Sequence, residues 1–346
     1  MNDKKDIRIL TLEEILAFCS GHNLPKFRAK QIWEWLWKKR AASFEEMTSL
    51  SKEIRELFNN NFTITAVKIH KAEKSIDGTI KYSFQLHDKL LVEGVLIPSQ
   101  KRLTACVSSQ VGCSLACVFC ATGTLKLERN ITAAEIYDQV FILNEEAITN
   151  FGKPLSNIVY MGMGEPLLNY KAVLNSINLI TTEQGLGMSP KRITVSTAGV
   201  SKMIKALAND QIKFNLAISL HSVSDSKRNI LIPLNKKNNL AKLRESVRYF
   251  YDKTGSRVTY EYILFKSLND SIEDAKKLVQ FARTSPCKIN LIEYNPVDNL
   301  PYEKSSSKIT KNFIKHLEGQ NIIVNLRKSK GKDIAAACGQ LVNKLQ

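Results

Sequence analysis

No stretch of this chain stays apolar for long. Its 346 residues contain no uninterrupted hydrophobic run near the roughly 18 that a membrane span requires. The opening "MNDKKDIRIL" is polar and mixed in charge, without the apolar region of a signal peptide. Both absences point to a cytoplasmic protein with no membrane partner. Cysteine is scarce as well: seven, unevenly spaced, are too few for a secreted disulfide framework. In a reducing compartment, clustered thiols point instead to metal or redox chemistry. Acidic residues are outnumbered, 33 against 50 basic ones, for a net charge of +17. That balance suits a polyanion, because each neutralised phosphate releases counterions. By itself it leaves nucleic acid, anionic lipid and a merely solvated basic surface open. With 44% hydrophobic residues the chain can bury one large domain and a smaller one.

The first 60 residues read as a small helical module. Thr11/Glu14 in "TLEEILAF" and Ser43/Glu46 in "SFEEMTSL" have capping-box spacing. Between them "PKFRAKQIWEWLWKKR" predicts a helix with Phe27, Ile32, Trp35 and Leu36 on one side. Its Lys26, Arg28, Lys30, Lys38, Lys39 and Arg40 form a stripe that faces either RNA phosphates or water. Residues 61–98 alternate apolar and polar around an Asp77-Gly78 turn, as a short antiparallel extension. From residue 99 to 346 strands and helices alternate: "LTACVSS", "SNIVYMG", "RITVST", "FNLAISL", "RVTYEYIL", "KINLIEYN" and "IIVNLR" are the strands. Helix starts are legible at Thr132/Glu135, Asn169, Asn239 and Ser271/Asp274. The rhythm implies an α/β fold with parallel strands, and six or seven units imply an open, partial barrel. Its chemistry gathers where strands end.

"VGCSLACVFCATG" places Cys113, Cys117 and Cys120 in a C-x3-C-x2-C clip. Structural zinc wants four ligands, and no second CxxC or HxxxH follows. Cys106, seven residues upstream, is a candidate fourth ligand, so zinc stays open. An iron–sulfur cluster also usually takes four thiolates; held by three, it keeps one iron open to a small molecule. Other polar residues lie at strand ends: Gly164 and Glu165 in "MGMGEP", Ser196 in "TVSTAG", Ser219-Leu220-His221 in "ISLHS" and Asn295 in "IEYNP". Singly, each is equally well a cap or turn residue. Cys338, in "GKDIAAACGQL", has no packing need for its sulfur that the local sequence reveals. Cys19 and Cys287 stand alone and read as small buried hydrophobes.

The clip, with Phe119 just before its last cysteine, resembles the radical S-adenosylmethionine (SAM) signature. Together with "FRAKQIWEWLW", "CVSSQVGC", "MGMGEP", "SLH", "NILIPLNKK" and "DIAAACGQL", nearly the whole chain resembles the dual-specificity adenine-C2 RNA methyltransferases of that superfamily. The resemblance implies a radical-SAM partial (βα)6-type barrel, with residues 1–60 as an RNA-binding accessory domain. It implies a [4Fe–4S] cluster on Cys113, Cys117 and Cys120, with SAM on its open iron. Gly164, Glu165, Ser196, Ser219, Leu220, His221 and Asn295 would surround that SAM. It implies two SAM per turnover, with Cys338 first methylated and its S-methyl carbon then delivered as a radical to adenine C2. Cys106 would resolve the resulting protein–RNA link through a transient disulfide with Cys338, and Glu93 would accept a proton. Substrates would be large-subunit ribosomal RNA and transfer RNA; the working unit would be a monomer served by a reductant such as flavodoxin. Two details depart from the family pattern: Lys126 and Leu127 precede "ERNIT", and Gly94 follows Glu93. The related adenine-C8 methyltransferases, and a non-catalytic metal-bearing RNA-binding protein, are the competing readings.

Overall fold

The computed structural model describes residues 4–298 and 300–342. Strand β1 (Lys5–Asp6) pairs in parallel with β2 (Phe62–Thr63), bracketing helices α1 (Leu12–Gly21), α2 (Phe27–Trp37) and α3 (Lys52–Asn61). Helix α1 opens on the expected capping box: Thr11 Oγ1 accepts from the Glu14 amide at 3.2 Å, and Glu14 Oε2 from the Thr11 amide at 2.7 Å. The box expected at Ser43/Glu46 opens no helix. There the amides of Met47 and Leu50 bond three residues back, to Phe44 and Met47. That spacing buries Phe44, Met47 and Leu50 together, so tertiary packing overrides the local signal. The helix begins later, behind Ser51.

Helix α2 lies where expected but is rotated. Its buried stripe is Ala29, Ile32, Leu36 and Trp37, while Phe27 is 52% exposed. Trp35 sits at the rim, its indole N–H on Ser49 Oγ at 2.8 Å and the Lys39 ammonium over its ring. Nor does Arg40 belong to a solvent stripe, since it turns inward, as described below.

The remainder is organised by one ten-stranded sheet. Three antiparallel strands, β3 (Lys68–Lys74), β4 (Ile80–Gln85) and β5 (Leu91–Pro98), run directly onto β6 (Leu103–Cys106). Hydrogen bonding thus continues across the expected boundary at residue 98. "FTITAVKI" does not form one strand, because its first two residues are taken by β1. After β6 come the short antiparallel pair β7 (Gln110–Val111) and β8 (Arg129–Asn130), and then helix α4 (Ala133–Phe151). The parallel series follows: β9 (Asn157–Tyr160), α5 (Tyr170–Thr181), β10 (Ile193–Thr197), α6 (Ser201–Asn209), β11 (Asn215–Ser219), α7 (Asp225–Leu231), α8 (Leu240–Thr254), β12 (Val258–Leu264), α9 (Ile272–Ala282), β13 (Cys287–Glu293), α10 (Ser307–Glu318) and β14 (Val324–Arg327). Strand β6 and the six from β9 to β14 are all parallel neighbours. Six crossovers therefore link seven strands, matching the expected (βα)6 plan with one further strand.

Starts at Thr132/Glu135, Asn239 and Ser271/Asp274 are capped as the sequence predicts. Asn169 differs: its Nδ2 donates to the carbonyls of Ser109 (2.8 Å) and Ile131 (2.7 Å), tying β9's loop to β7 instead of capping α5. Cys19 is fully buried and Cys287 only partly. Among the described residues no helix is long and apolar enough to cross a membrane.

The sheet curls strongly. Five strand spacings of about 4.8 Å would separate β9 from β14 by roughly 24 Å if flat, yet Arg327 Nη1 lies 3.8 Å from Met161 Sδ just beyond β9. The helical module is fastened to this barrel by Asp138 of α4, 1% exposed. Its carboxylate accepts from Arg8 Nη1 (2.8 Å), Arg40 Nε (3.1 Å) and the Val67 amide (2.9 Å). Removing one member of such a buried ionic group strands the others, at about 3–5 kcal/mol. Asp138→Asn should therefore lower unfolding free energy by about that amount in urea titrations, and speed proteolytic release of the N-terminal 65 or so residues.

Candidate active site

The three-cysteine loop is closed at its base by the β7–β8 pair. Gly112 has φ +75°, and a Cβ there would stand 1.9 Å from the Lys126 carbonyl, so only glycine lets the loop leave β7. Inside, Val118 N donates to Leu231 O (3.2 Å) and Ala121 N to Gly339 O (2.7 Å), pinning the loop to α7 and to the C-terminal segment. Phe119 packs edge-on against His221, centroids 4.9 Å apart. Cys113, Cys117 and Cys120 all line one cavity of about 160 Å³. Burial, and then their mutual repulsion, holds the thiols protonated: Cys113 is pushed up to about 11 and Cys117 well above the ordinary thiol range. Cys120 is raised too, chiefly by burial. Among the described residues no group of three or more Cys, His, Asp or Glu side chains is gathered closely enough for a single metal ion. Three thiols on a shared apolar wall, each awaiting positive charge before it can ionise, suit a multi-iron cluster.

The strand ends supply the rest of that cavity. Gly164, with φ +94°, holds its backbone against Gln110, where a Cβ would come within 2.5 Å. Glu165 is 3% exposed, and its carboxylate accepts from the amides of Ala198 (2.8 Å) and Leu167 (3.1 Å). Burial nevertheless raises it to about 6. Ser196 and Ser219 face each other across β10 and β11, their hydroxyls 3.4 Å apart. His221 also lines the cavity. Its Nδ1 accepts from the Ile263 amide at 3.1 Å, which leaves Nε2–H as the donor. Leu220 does not line it; it is fully buried, with its amide on the Glu261 carbonyl. Asn295, two residues past β13, does not line it either: Nδ2 donates to the Cys338 carbonyl (3.2 Å), and among the described residues its buried Oδ1 has no hydrogen-bond partner. Serine hydroxyls, a carboxylate and an imidazole N–H lining one cavity fit a zwitterionic ligand such as SAM.

A second, smaller cavity of about 80 Å³ adjoins the first. Cys106 lines it, held up at about 12 chiefly by burial. Met161, Ile292, Arg327 and Cys338 border both spaces. Cys338 is exposed, and both it and Cys106 are free thiols. It rides on a strap pinned on either side. Upstream, Ser75 Oγ donates to Asp333 Oδ1 (2.6 Å) and the Gly331 amide to Asp77 Oδ2 (3.0 Å). Downstream, the Val342 amide donates to Glu93 Oε2 (2.8 Å) and Thr122 Oγ1 to the Leu341 carbonyl (2.7 Å). Glu93 lines neither cavity. Burial raises its pKa, against an ion pair with Lys81 at 3.4 Å.

Sequence reading missed three charged residues here. Arg327, the last residue of β14, pairs with Glu261 at 3.1 Å between the two cysteines' cavities. Both sit on strands already identified, and the strand-end rule applied to "IIVNLR" finds Arg327. Arg228 lies beneath the cluster loop, one residue before the "NILIPLNKK" motif.

Three thiols on a loop after the first parallel strand of a curled (βα)6 sheet, facing strand-end polar groups, define a radical SAM protein. The family model of the Radical SAM superfamily matches residues 107–281, and that of the "Ribosomal RNA large subunit methyltransferase N-terminal domain" matches residues 6–64. A "Probable dual-specificity RNA methyltransferase RlmN" of Flavobacterium psychrophilum is 52% identical over 99% of both chains. A "Dual-specificity RNA methyltransferase RlmN" of Anaeromyxobacter sp. is 40% identical over 98% of this chain and 90% of that one. The crystal structure of a radical SAM methyltransferase from Sphaerobacter thermophilus superposes with a TM-score of 0.91 at 37% identity, over 97% of this chain and 99% of that one. The chain belongs to the RlmN-type dual-specificity RNA methyltransferases of the radical SAM superfamily.

His221 gives this site a pH signature. Burial, with Arg228 nearby, depresses its pKa from 6.5 to about 3. Below pH 6.5 the unfolded chain takes up a proton that the folded site refuses, so stability falls as pH drops. Between pH 7.5 and 5.5 the protein should lose about 1.4 kcal/mol more than His221→Asn in urea titrations. Asparagine tolerates the local φ of +53° and offers Ile263 an acceptor.

Proposed function

We propose that this methyltransferase acts on C2 of adenine in large-subunit (23S) rRNA and on the adenine 3′ of the anticodon in some tRNAs, with Cys338 as the methyl carrier. The observation that supports this most is the position of Cys338, bordering both the cavity of the cluster cysteines and the cavity of Cys106. Adenine C2 is electron-poor and does not attack a sulfonium carbon as a nucleophile, so the carbon must arrive as a radical. Bound on Cys113, Cys117 and Cys120, a [4Fe–4S] cluster would supply one-electron cleavage of SAM to a 5′-deoxyadenosyl radical.

The chain's own residues would do the remainder. Gly164, Glu165, Ser196, Ser219, His221 and Asn295 would orient SAM, and the buried Leu220 would hold Ser219 and His221 at the cavity wall. Cys338 Sγ would take a methyl group from a first SAM, lose one hydrogen from it to a second, and hold that carbon against C2. Cys106 Sγ would then bond Cys338 Sγ, breaking the carbon–sulfur link; the C2 proton passes to Glu93, the freed methylene carbon takes up a proton to become the methyl group, and the adduct's odd electron leaves to the one-electron centre that the three clip cysteines would hold. Glu93 is engaged here by Val342, so reaching the base requires that end of the strap to lift. Residues 1–60 would grip the RNA backbone, drawn to it by the whole chain's net charge of +17, and the target base would be extruded from its stack. The remaining expectations, a monomer fed by a flavodoxin-type reductant in the cytoplasm, accompany this reading.

The test is anaerobic reconstitution with iron, sulfide, SAM and dithionite on rRNA and tRNA transcripts, read by mass spectrometry. The expected products are 2-methyladenosine, 5′-deoxyadenosine and S-adenosylhomocysteine. Cys338→Ala should abolish methylation, and Cys106→Ala should accumulate RNA covalently bound to protein. The main product 8-methyladenosine would shift the assignment to the C8 reaction. Normal turnover by Cys338→Ala would refute the carrier, and RNA binding without any product would favour a non-catalytic binder.

A further inference from the structure

Arg228 is a cation without an anion. Its side chain is fully buried at the centre of α7. Nη2 donates to the carbonyls of Ala198 (2.6 Å) and Ser219 (3.1 Å), Nε to that of Leu220 (3.0 Å), and Nη1 to Asn235 Oδ1 (2.6 Å). All four acceptors are neutral, and among the described residues no carboxylate forms an ion pair with it. Asp225 acts on it only at a distance, with Asn235 between them, whose Nδ2 donates to Asp225 Oδ1 at 2.8 Å. A buried guanidinium left in this state costs several kcal/mol. Tying strand ends together does not by itself require a charge.

The missing anion is legible in what packs alongside. Helix α7 receives the cluster loop directly, since Val118 N, one residue past Cys117, bonds Leu231 O at 3.2 Å. Leu115, Phe119, Ala198, Leu231 and Ile232 form one apolar cluster with the three cysteines packed against it. In so apolar a layer charges act on one another far more strongly than in water. Of the other titratable groups facing this layer, His221 Nδ1 accepts from the Ile263 amide as a neutral imidazole, and the Glu165 carboxylate is already met by the Ala198 and Leu167 amides.

We propose that Arg228 is the fixed counter-charge of the cluster, a positioning residue that raises its reduction potential. The proposal rests on Cys113, Cys117 and Cys120 holding a [4Fe–4S] cluster. Three thiolates around a [4Fe–4S] core of charge +2 carry a net charge of −1. One electron from an external low-potential donor makes it −2, and a buried cation favours that product over the oxidised form.

The full chain, reconstituted anaerobically, is titrated with dithionite against redox mediators and followed by electron paramagnetic resonance, without and with SAM. For Arg228→Gln the reduced-to-oxidised ratio at fixed poise should fall at least tenfold, a shift of about 59 mV for a one-electron couple. Arg228→Lys keeps the charge but not the four-acceptor fork, and should stay within threefold of the parent. A role in tying carbonyls alone predicts that lysine behaves as glutamine does, or that neither variant moves the potential while both melt earlier; either result overturns the proposal. If the Arg228 variants fail to fold, Asp225→Asn should raise the ratio by unmasking the cation, and an unchanged or lower ratio overturns it. A parent protein that gives no cluster signal overturns the cluster reading itself, before any variant is compared.

Discussion

The contact on which this molecule depends joins two strands that a flat sheet would hold far apart. Because β9 and β14 curl until Arg327 reaches Met161, polar groups at the ends of separate strands face one enclosed space. Close packing of the apolar layers between sheet and helices is what maintains the curl. Ile158, Val195, Ile218, Tyr260 and Leu291, fully buried along the successive strands β9 to β13, leave no room for one strand to slide past another. The site is therefore a consequence of a core that contains none of its chemistry.

Over that bowl lies a strap. Cys338 belongs to no strand or helix; Ala336, Ala337 and Leu341 anchor its segment by burial, and the rest of the hold is individual hydrogen bonds with the β3–β4 turn, Glu93, Thr122 and Asn295. Each is worth on the order of 1 kcal/mol, against the far larger energy that holds the sheet. This division suits an acceptor thiol that serves two neighbouring spaces while the groups lining them stay in place.

Much of this was legible in the chain itself. All seven parallel strands follow from apolar runs bounded by helix caps, and the cysteine clip with "MGMGEP" located the cavity. What failed did so where long-range packing outweighed local spacing. Ser43/Glu46 has a capping box's letters, but burial of Phe44, Met47 and Leu50 holds that stretch in turns. Phe27 shares a helical face with Ile32 on paper, yet the face that meets the core is set by Ala29 and Trp37. Asn169 looked like a cap and is a cross-brace. Arg40 read as a surface charge because nothing local reveals that Asp138, 98 residues away, awaits it. Leu220 showed the limit of treating a motif as a set of site residues, since it lies fully buried behind the wall that Ser219 and His221 line.

Helix α4 is where these parts share a member. Its first turn follows the strand that closes the cysteine loop, and in the next turn Asp138 holds Arg8 and Arg40 of the helical module. One rigid rod therefore spans from reactive loop to appended module. For an RNA gripped by that module, the distance to the site is fixed as on a ruler. Two RNAs unlike in sequence would then qualify by presenting a base at the same reach.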